Sequence, residues 1–173
     1  ADLISYRRKN ENLLVRTYEK PFNSSTTGSW RIIVFKSLID GVEHLALIKG
    51  IVTSKNETMV RVHSFNPIVD IFEDLNTNGQ NNLIFKAMKK IDINQNGIII
   101  IINDSYKDFI SKKLKFDVEP DLKDQINLRQ YGVGAQILSD LGVKKMILLS
   151  NSKKKAIGLK GFDLSIVDWQ RLD

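Results

Sequence analysis

The residues of this chain whose types and spacing could bind a metal lie between positions 61 and 79, in RVHSFNPIVDIFEDLNTNG. This segment begins as a predicted β-strand carrying His63 and Ser64, and it continues into polar turn residues. Arg61 and His63 alternate along the strand, so both point to one face. The 173 residues include no cysteine, which excludes thiolate metal sites and thiol nucleophiles. A catalytic zinc needs about three protein ligands, and one histidine does not hold it.

The elements that must position these residues follow from hydrophobic periodicity and turn residues. Helices are predicted at 2–19, 80–91 and 130–141, the first capped by Asp2 and the last ended by Gly142. Strands are predicted on both sides of the Asp40-Gly41 turn, at 59–65, at 98–102, at 144–150 and at 162–169. Residues 105–128 are rich in lysine and give no clear pattern. Hairpins followed by β-α-β alternation predict an α/β fold, a mixed sheet with helices packed on it.

Composition and charge narrow the class of protein. Hydrophobic residues make up 42% of the chain and charged residues 27%, which is ordinary for a globular domain. There is neither a long apolar run nor a signal peptide, so we expect no membrane span and a cytoplasmic protein. The net charge of +6 comes from lysines scattered in ones and twos, without interleaved aromatic residues. This pattern argues against a nucleic-acid partner.

Four separated segments, in order, carry a resemblance to one family. They are EHLALIKG (43–50), RVHS (61–64), LRQYGVGAQILSDLGV (128–143) and LLSNSKKKAIGLKGF (148–162). Together they resemble GTP cyclohydrolase II, the zinc enzyme that opens riboflavin synthesis. The resemblance extends from about Trp30 to Trp169.

The N-terminal DLISYRRKNENLL resembles the connecting helix of two-headed riboflavin enzymes. In those proteins a 3,4-dihydroxy-2-butanone 4-phosphate synthase precedes the cyclohydrolase. The resemblance therefore implies a connecting helix at 1–20 and a cyclohydrolase-like domain at 21–173. It also implies that magnesium belongs only to the synthase domain.

The sequence departs from the family's zinc pattern, H-S-E-C-x10-C-x-C. The glutamate position holds Phe65, and the three cysteine positions hold Asn66, Thr77 and Gly79. An amide, a neutral hydroxyl and a missing side chain supply no charge and little metal affinity. We therefore expect no zinc and no other metal in this domain.

The family's Gln-Glu-Gly-Arg-Gly segment, which by resemblance grips the triphosphate, is also missing. No glycine occurs between Gly97 and Gly132, and no arginine between Arg61 and Arg129. Loops that bind phosphate use glycine so that backbone N–H groups can approach. The lysines in this region are predicted to form a solvated helix face: Lys107, Lys112, Lys113 and Lys115.

The family's Asp-x-Arg, an implied proton acceptor and an unusual nucleophile, is Asn127-Leu128-Arg129 here. Arg129 is the only retained catalytic position, and losing a general base costs a factor of about 10² to 10⁴. The positions that resemble nucleotide contacts are Arg61, His63, Ser64, Ser150 and Lys155. Each also has a structural explanation, since Ser150, for example, can cap the next helix.

These observations lead to a hypothesis with two alternatives. The first is a degenerate cyclohydrolase-like domain, a pseudoenzyme that forms a homodimer or supports an attached synthase and binds GTP or phosphate weakly at best. The alternatives are a regulatory nucleotide-binding or phosphate-binding module and a divergent metal-free hydrolase that uses Arg129.

Overall fold

The computed structural model describes residues 13–72, 82–105, 107–115, 120–151 and 162–172, with only the backbone described for 120–129. The strands are β1 (Leu14–Ser24), β2 (Gly28–Ser37), β3 (Glu43–Lys49), β4 (Glu57–Ser64), β5 (Gly97–Ile102), β6 (Lys145–Leu149) and β7 (Ser165–Gln170). The helices are α1 (Pro67–Asp70), α2 (Leu83–Asn94), α3 (Phe109–Lys115) and α4 (Pro120–Asp140). None of the helices in these ranges is long and apolar enough to cross a membrane.

The seven strands of the described ranges form one sheet in the order β1-β2-β3-β5-β4-β6-β7. Pairing is antiparallel from β1 through β2 and β3 to β5. It is parallel between β5 and β4, β4 and β6, and β6 and β7. The predicted α/β fold with a mixed sheet is therefore confirmed, and so is the β2–β3 hairpin, in which Gly41 takes a positive φ of 72°.

Helices α2 and α4 cover opposite faces of the sheet. Ala87 and Ile91 of α2 are buried in a cluster with Met59, whereas Leu138 of α4 is buried in a cluster with Val62. Each of the larger side chains here, such as Ile91 and Leu138, contributes about 1.5 to 3 kcal/mol by leaving water. Because side chains alternate along a strand, the odd-numbered residues of β4 face α2 and the even-numbered ones face α4.

Strand β5 occupies the centre of the sheet, as its run of isoleucines predicted. Ile98, Ile99 and Ile100 are completely buried, so both faces of the strand are covered. Gly97 begins the strand where α2 crosses closely, and a Cβ there would lie 2.7 Å from the Ile91 side chain. The predicted helix at 80–91 is confirmed as α2 with later bounds.

The predicted helix at 2–19 is wrong over its described part, because β1 begins at Leu14. Val15, Thr17 and Tyr18 are residue types that favour strands, and β1 pairs with β2 from Leu14 to Ser24. This pairing outweighs the local helical pattern. Residues 1–12 lie outside the described residues, so the connecting-helix hypothesis remains a prediction there.

The ambiguous region between β5 and β6 contains two helices, α3 and α4. Helix α4 ends as predicted, with Gly142 at a positive φ of 83°. Val143 N donates to Leu138 O at 3.0 Å, and Gly142 N donates to Ser139 O at 3.1 Å. These two hydrogen bonds form a Schellman motif, which satisfies the last carbonyl groups of the helix.

Candidate functional site

The carboxyl end of β4 brings Arg61 and His63 together on the face that α2 covers. Arg61 Nη2 lies 3.1 Å from His63 Nδ1, and both residues are buried. His63 Nε2 lies 2.9 Å from Asp70 Oδ1. Because a guanidinium can only donate hydrogen bonds, His63 Nδ1 accepts from Arg61 and Nε2–H donates to Asp70. The three side chains form a chain of charge-assisted contacts, with both ring nitrogens of His63 engaged.

Arg61 also connects the site to β6, and its charge affects Tyr131 of α4. Its Nη1 donates to Leu149 O at 3.2 Å, whereas its buried Nε has no acceptor among the described residues. Burial lowers the pKa of Arg61 from its ordinary value, and nearby Tyr131 and Asp70 oppose that shift. Burial raises the pKa of Tyr131 to about 12, with Arg61 opposing that shift. Tyr131 is therefore a neutral phenol at physiological pH, and it cannot act as a base there.

Helix α1 holds Asp70 in place, and it begins at a position where the resemblance expects a zinc ligand. Asn66 is the N-cap, with its Oδ1 accepting from Ile68 N at 3.1 Å, and Pro67 follows at the first helical position. Asn66 N donates to Asp70 Oδ2 at 2.8 Å. In this chain, position 66 therefore starts a helix and orients the carboxylate that contacts His63.

Ser64 points to the opposite face of the sheet, where α3 and α4 supply its polar neighbours. Lys113 Nζ donates to Ser64 Oγ at 2.6 Å and lies 3.1 Å from Asp104 Oδ2. Gln130 Nε2 donates to Asp104 Oδ1 at 2.7 Å. The side chains of Lys113 and Asp104 are only 4% and 6% exposed, so this is a second buried polar cluster.

The prediction of a solvated helix face is wrong at Lys113 and correct for Lys115, whereas Lys107 is exposed but precedes α3. Lys112 is partly exposed and forms an ion pair with Asp108. Lys113 turns inward because the partners available to it, Ser64 and Asp104, lie at the ends of β4 and β5. Helix α3 exposes apolar residues instead, with Ile110 at 46% and Leu114 at 61%.

The structure describes only some of the other predicted site residues. Ser150 is buried, its N donates to Gln170 O at 3.0 Å, and its carbonyl oxygen accepts from Trp169 Nε1 at 2.9 Å. It therefore joins β6 to β7, beside the Arg61 contact at Leu149. Arg129 lies in α4, but its side chain is outside the described part of the structure, and so are Lys155, Thr77 and Gly79.

Sequence reasoning missed the acidic members of the site, Asp70 and Asp104, and also Gln130. Asp70 stands four residues after the Asn66-Pro67 helix start, and Asp104 follows the central strand. These positions, just after two adjacent parallel strands, could have identified both aspartates, because side chains at the carboxyl ends of such strands lie close together.

The described donors do not fit zinc. The ring nitrogens of His63 are engaged by Arg61 and Asp70, and Asn66 is used as a helix cap. Among the described ranges, no three histidine, aspartate or glutamate side chains are grouped in a way that could hold a metal ion. A guanidinium 3.1 Å from Nδ1 also places a positive charge where a cation would have to bind.

Residues 15–171 match the family model described as GTP cyclohydrolase II. The chain is 37% identical to the monofunctional riboflavin biosynthesis protein RIBA 2, chloroplastic, of Arabidopsis thaliana, over 96% of this chain and 36% of that protein. It is 34% identical to the riboflavin biosynthesis protein RibBA of Parabacteroides distasonis, over 96% of this chain and 44% of that protein.

A solved structure described as RibBX, a two domain 3,4-dihydroxy-2-butanone 4-phosphate synthase from A. baumannii, superposes with a TM-score of 0.63 at 28% identity. The match covers 98% of this chain and 43% of that one. The chain thus spans less than half the length of these similar proteins.

Proposed function

The chain belongs to the GTP cyclohydrolase II family, and we propose that it serves riboflavin biosynthesis as a degenerate domain without zinc and without cyclohydrolase activity. The observation that carries this proposal is the contact set of His63. Both of its ring nitrogens are engaged inside the protein, by Arg61 and by Asp70. A histidine in this arrangement orients side chains and does not offer a lone pair to a metal or substrate.

The chemistry of the remaining positions supports the same proposal. The implied proton acceptor is replaced by Asn127, and an amide cannot accept a proton at neutral pH. Arg129 keeps the family's residue type but has no acid beside it in the sequence. The retained arginine therefore lacks the base that the family's chemistry requires, and a metal-free hydrolase has little support.

The proposed role is to support an attached 3,4-dihydroxy-2-butanone 4-phosphate synthase, which would convert ribulose 5-phosphate with magnesium. Two facts support this role. The similar proteins are more than twice as long as the matched region, and one of them is described as a two-domain synthase. A family member named monofunctional suggests that one of two activities can be absent. We further propose a cytoplasmic homodimer, although some relatives are named chloroplastic.

A regulatory nucleotide-binding or phosphate-binding module is the second candidate, and one observation favours it. Arg61 Nε is buried and has no acceptor among the described residues. A buried donor without a partner costs about 1 to 3 kcal/mol, which a phosphate oxygen could recover. This candidate predicts GTP or phosphate binding that depends on Arg61.

Two measurements on the purified chain test the proposed absence of catalysis. Elemental analysis should find no stoichiometric zinc, and incubation with GTP should release no formate. A chelator should leave the melting temperature unchanged, because the buried clusters on both faces of the sheet form the core. Zinc near one equivalent per chain, or steady formate release, would overturn the proposal.

The supporting role is tested in the full-length protein. Ile137→Asp places a charge in the buried cluster under α4, so it should unfold this domain and lower synthase turnover. Lys115→Ala changes an exposed residue and serves as the control. Unchanged synthase turnover in Ile137→Asp, with this domain shown to be unfolded, would exclude a supporting role. Sedimentation of the wild-type protein tests the homodimer.

A further inference from the structure

Four polar side chains surround the carboxyl end of β4 on the face that α4 covers. Asp104 lies between two of them, and each of its carboxylate oxygens has a donor from a different helix. Gln130 of α4 donates to Oδ1 at 2.7 Å, and Lys113 of α3 lies 3.1 Å from Oδ2. Lys113 also donates to Ser64 Oγ, at 2.6 Å. An ammonium and an amide therefore meet around one buried carboxylate, and the Ser64 hydroxyl oxygen accepts a hydrogen bond from the same ammonium.

This is a donor set that proteins use for oxyanions, because hydrogen bonds from an ammonium and an amide suit the oxygens of a carboxylate or of a phosphate equally. A lysine side chain only 4% exposed requires an anion close by. In this chain that anion is part of the protein. The Asp104 side chain is itself only 6% exposed, and it occupies the position beside the donors that an external anion would take.

We propose that Lys113 and Gln130 form an oxyanion site of the phosphate-binding class, that Ser64 positions the Lys113 ammonium in it, and that the chain's own Asp104 occupies it. The inference rests on the proposed function in one respect, since Ser64 is a position that resembles a nucleotide contact. It adds a cause for the loss of ligand binding there. The donors are present, and an internal carboxylate holds them.

Asp104→Asn tests this inference, because it removes the negative charge while keeping nearly the same volume and one acceptor oxygen. The probe is inorganic phosphate, titrated by calorimetry at a constant ionic strength set with sodium chloride. Freeing one charge-assisted donor should lower the phosphate Kd about tenfold or more relative to wild type. The double variant Asp104→Asn/Lys113→Met should lose this gain, since the ammonium that binds phosphate is gone.

Asp108→Asn is the matched control. Asp108 stands in the same segment and forms an ion pair with Lys112 at 3.5 Å, but its side chain is 64% exposed. The Asp108→Asn variant should bind phosphate no better than wild type does. An ordinary structural ion pair at Lys113 and Asp104 predicts the same result for Asp104→Asn as for Asp108→Asn, and that result would overturn the inference.

Asp104→Asn could fail to fold, since it removes a charged partner of a buried ammonium. Refolding in phosphate and in chloride at equal ionic strength then replaces the titration. Because phosphate also stabilises folded proteins in general, recovery in phosphate that Asp104→Asn/Lys113→Met does not share supports the oxyanion site, whereas equal behaviour of the two variants contradicts it. Zinc content and formate release of the wild-type chain do not involve Asp104. This inference and the proposed function can therefore fail independently.

Discussion

The two ends of the sheet each contain a buried lysine paired with an aspartate, and the two pairs are built differently. At the amino end of β5, Lys49 Nζ lies 2.6 Å from Asp92 Oδ1, with side chains 7% and 35% exposed. At the carboxyl end, the side chains of Lys113 and Asp104 are 4% and 6% exposed. Only the second pair is closed to solvent on both sides.

The partners of the two lysines show what each pair does. Lys49 also donates to the carbonyl oxygen of Thr27 and lies 4.8 Å from the Trp30 ring centroid, so it fastens β3 to the β1–β2 turn and to α2. Lys113 contacts Ser64 and Asp104, at the ends of the two central parallel strands. The same chemical pair therefore fastens elements at one end, and at the other it lies at the oxyanion site proposed above.

Removing the aspartate of each pair in turn should lower the free energy of unfolding by different amounts at the two ends of the sheet. Asp104→Ala removes a charged partner of an ammonium whose side chain is only 4% exposed, so we expect a loss of about 3 to 5 kcal/mol in the free energy of unfolding. Asp92→Ala removes a carboxylate that is a third exposed and screened by water, so we expect about 1 to 2 kcal/mol. Urea unfolding of both variants measures the difference. Equal losses would mean that the two pairs play the same structural part.

The hydrophobic pattern was sufficient to predict much of this fold. The run of isoleucines placed β5 at the centre, the Asp40-Gly41 turn placed the hairpin, and Gly142 placed the end of α4, because each signal is local. Strand β1 was mistaken for a helix, since its conformation is decided by pairing with β2. A tertiary contact outweighed a local pattern there.

The sequence predicted which residues of the candidate site are retained, but it did not predict the contacts that they make. Arg61 and His63 were placed on one face by strand alternation alone. Lys113 reaches Ser64 across 49 positions of sequence, and no periodicity indicates such a contact. Asp70 and Asp104 were missed for the same reason, because their partners become neighbours only when the sheet forms.

A second prediction concerns the pH dependence of protein stability that arises from Tyr131, near the carboxyl end of β4. Burial raises the pKa of Tyr131 to about 12, above its ordinary value of 10.0. Its contribution to stability is complete below about pH 10 and is lost as the pH rises towards 12, because only the unfolded chain ionises in that window. The stability difference between wild type and Tyr131→Phe should therefore fall by about 2 kcal/mol across it. Urea unfolding at several pH values measures this difference, and a difference that stays constant would contradict the burial of the phenol.

The smallest expected effect is at Asn66. Asn66→Ala removes the side-chain cap of α1 and should cost about 1 kcal/mol in thermal or urea unfolding.

Asn66→Cys restores one of the family's thiolate positions, but Asp70 and Arg61 still engage His63. We therefore expect no stoichiometric zinc in Asn66→Cys, and elemental analysis checks this. Zinc uptake by this single variant would show that the site is closer to a metal site than its contacts indicate.

The central claim is that the polar side chains at the carboxyl end of β4 are engaged with one another and not with a ligand. Calorimetric titration of GTP into the wild-type chain tests it most directly. With Arg61, His63 and Lys113 held by internal partners, we expect no saturable binding tighter than about millimolar. Micromolar GTP affinity that disappears in Arg61→Ala would contradict the claim, and it would assign the domain to nucleotide-dependent regulation.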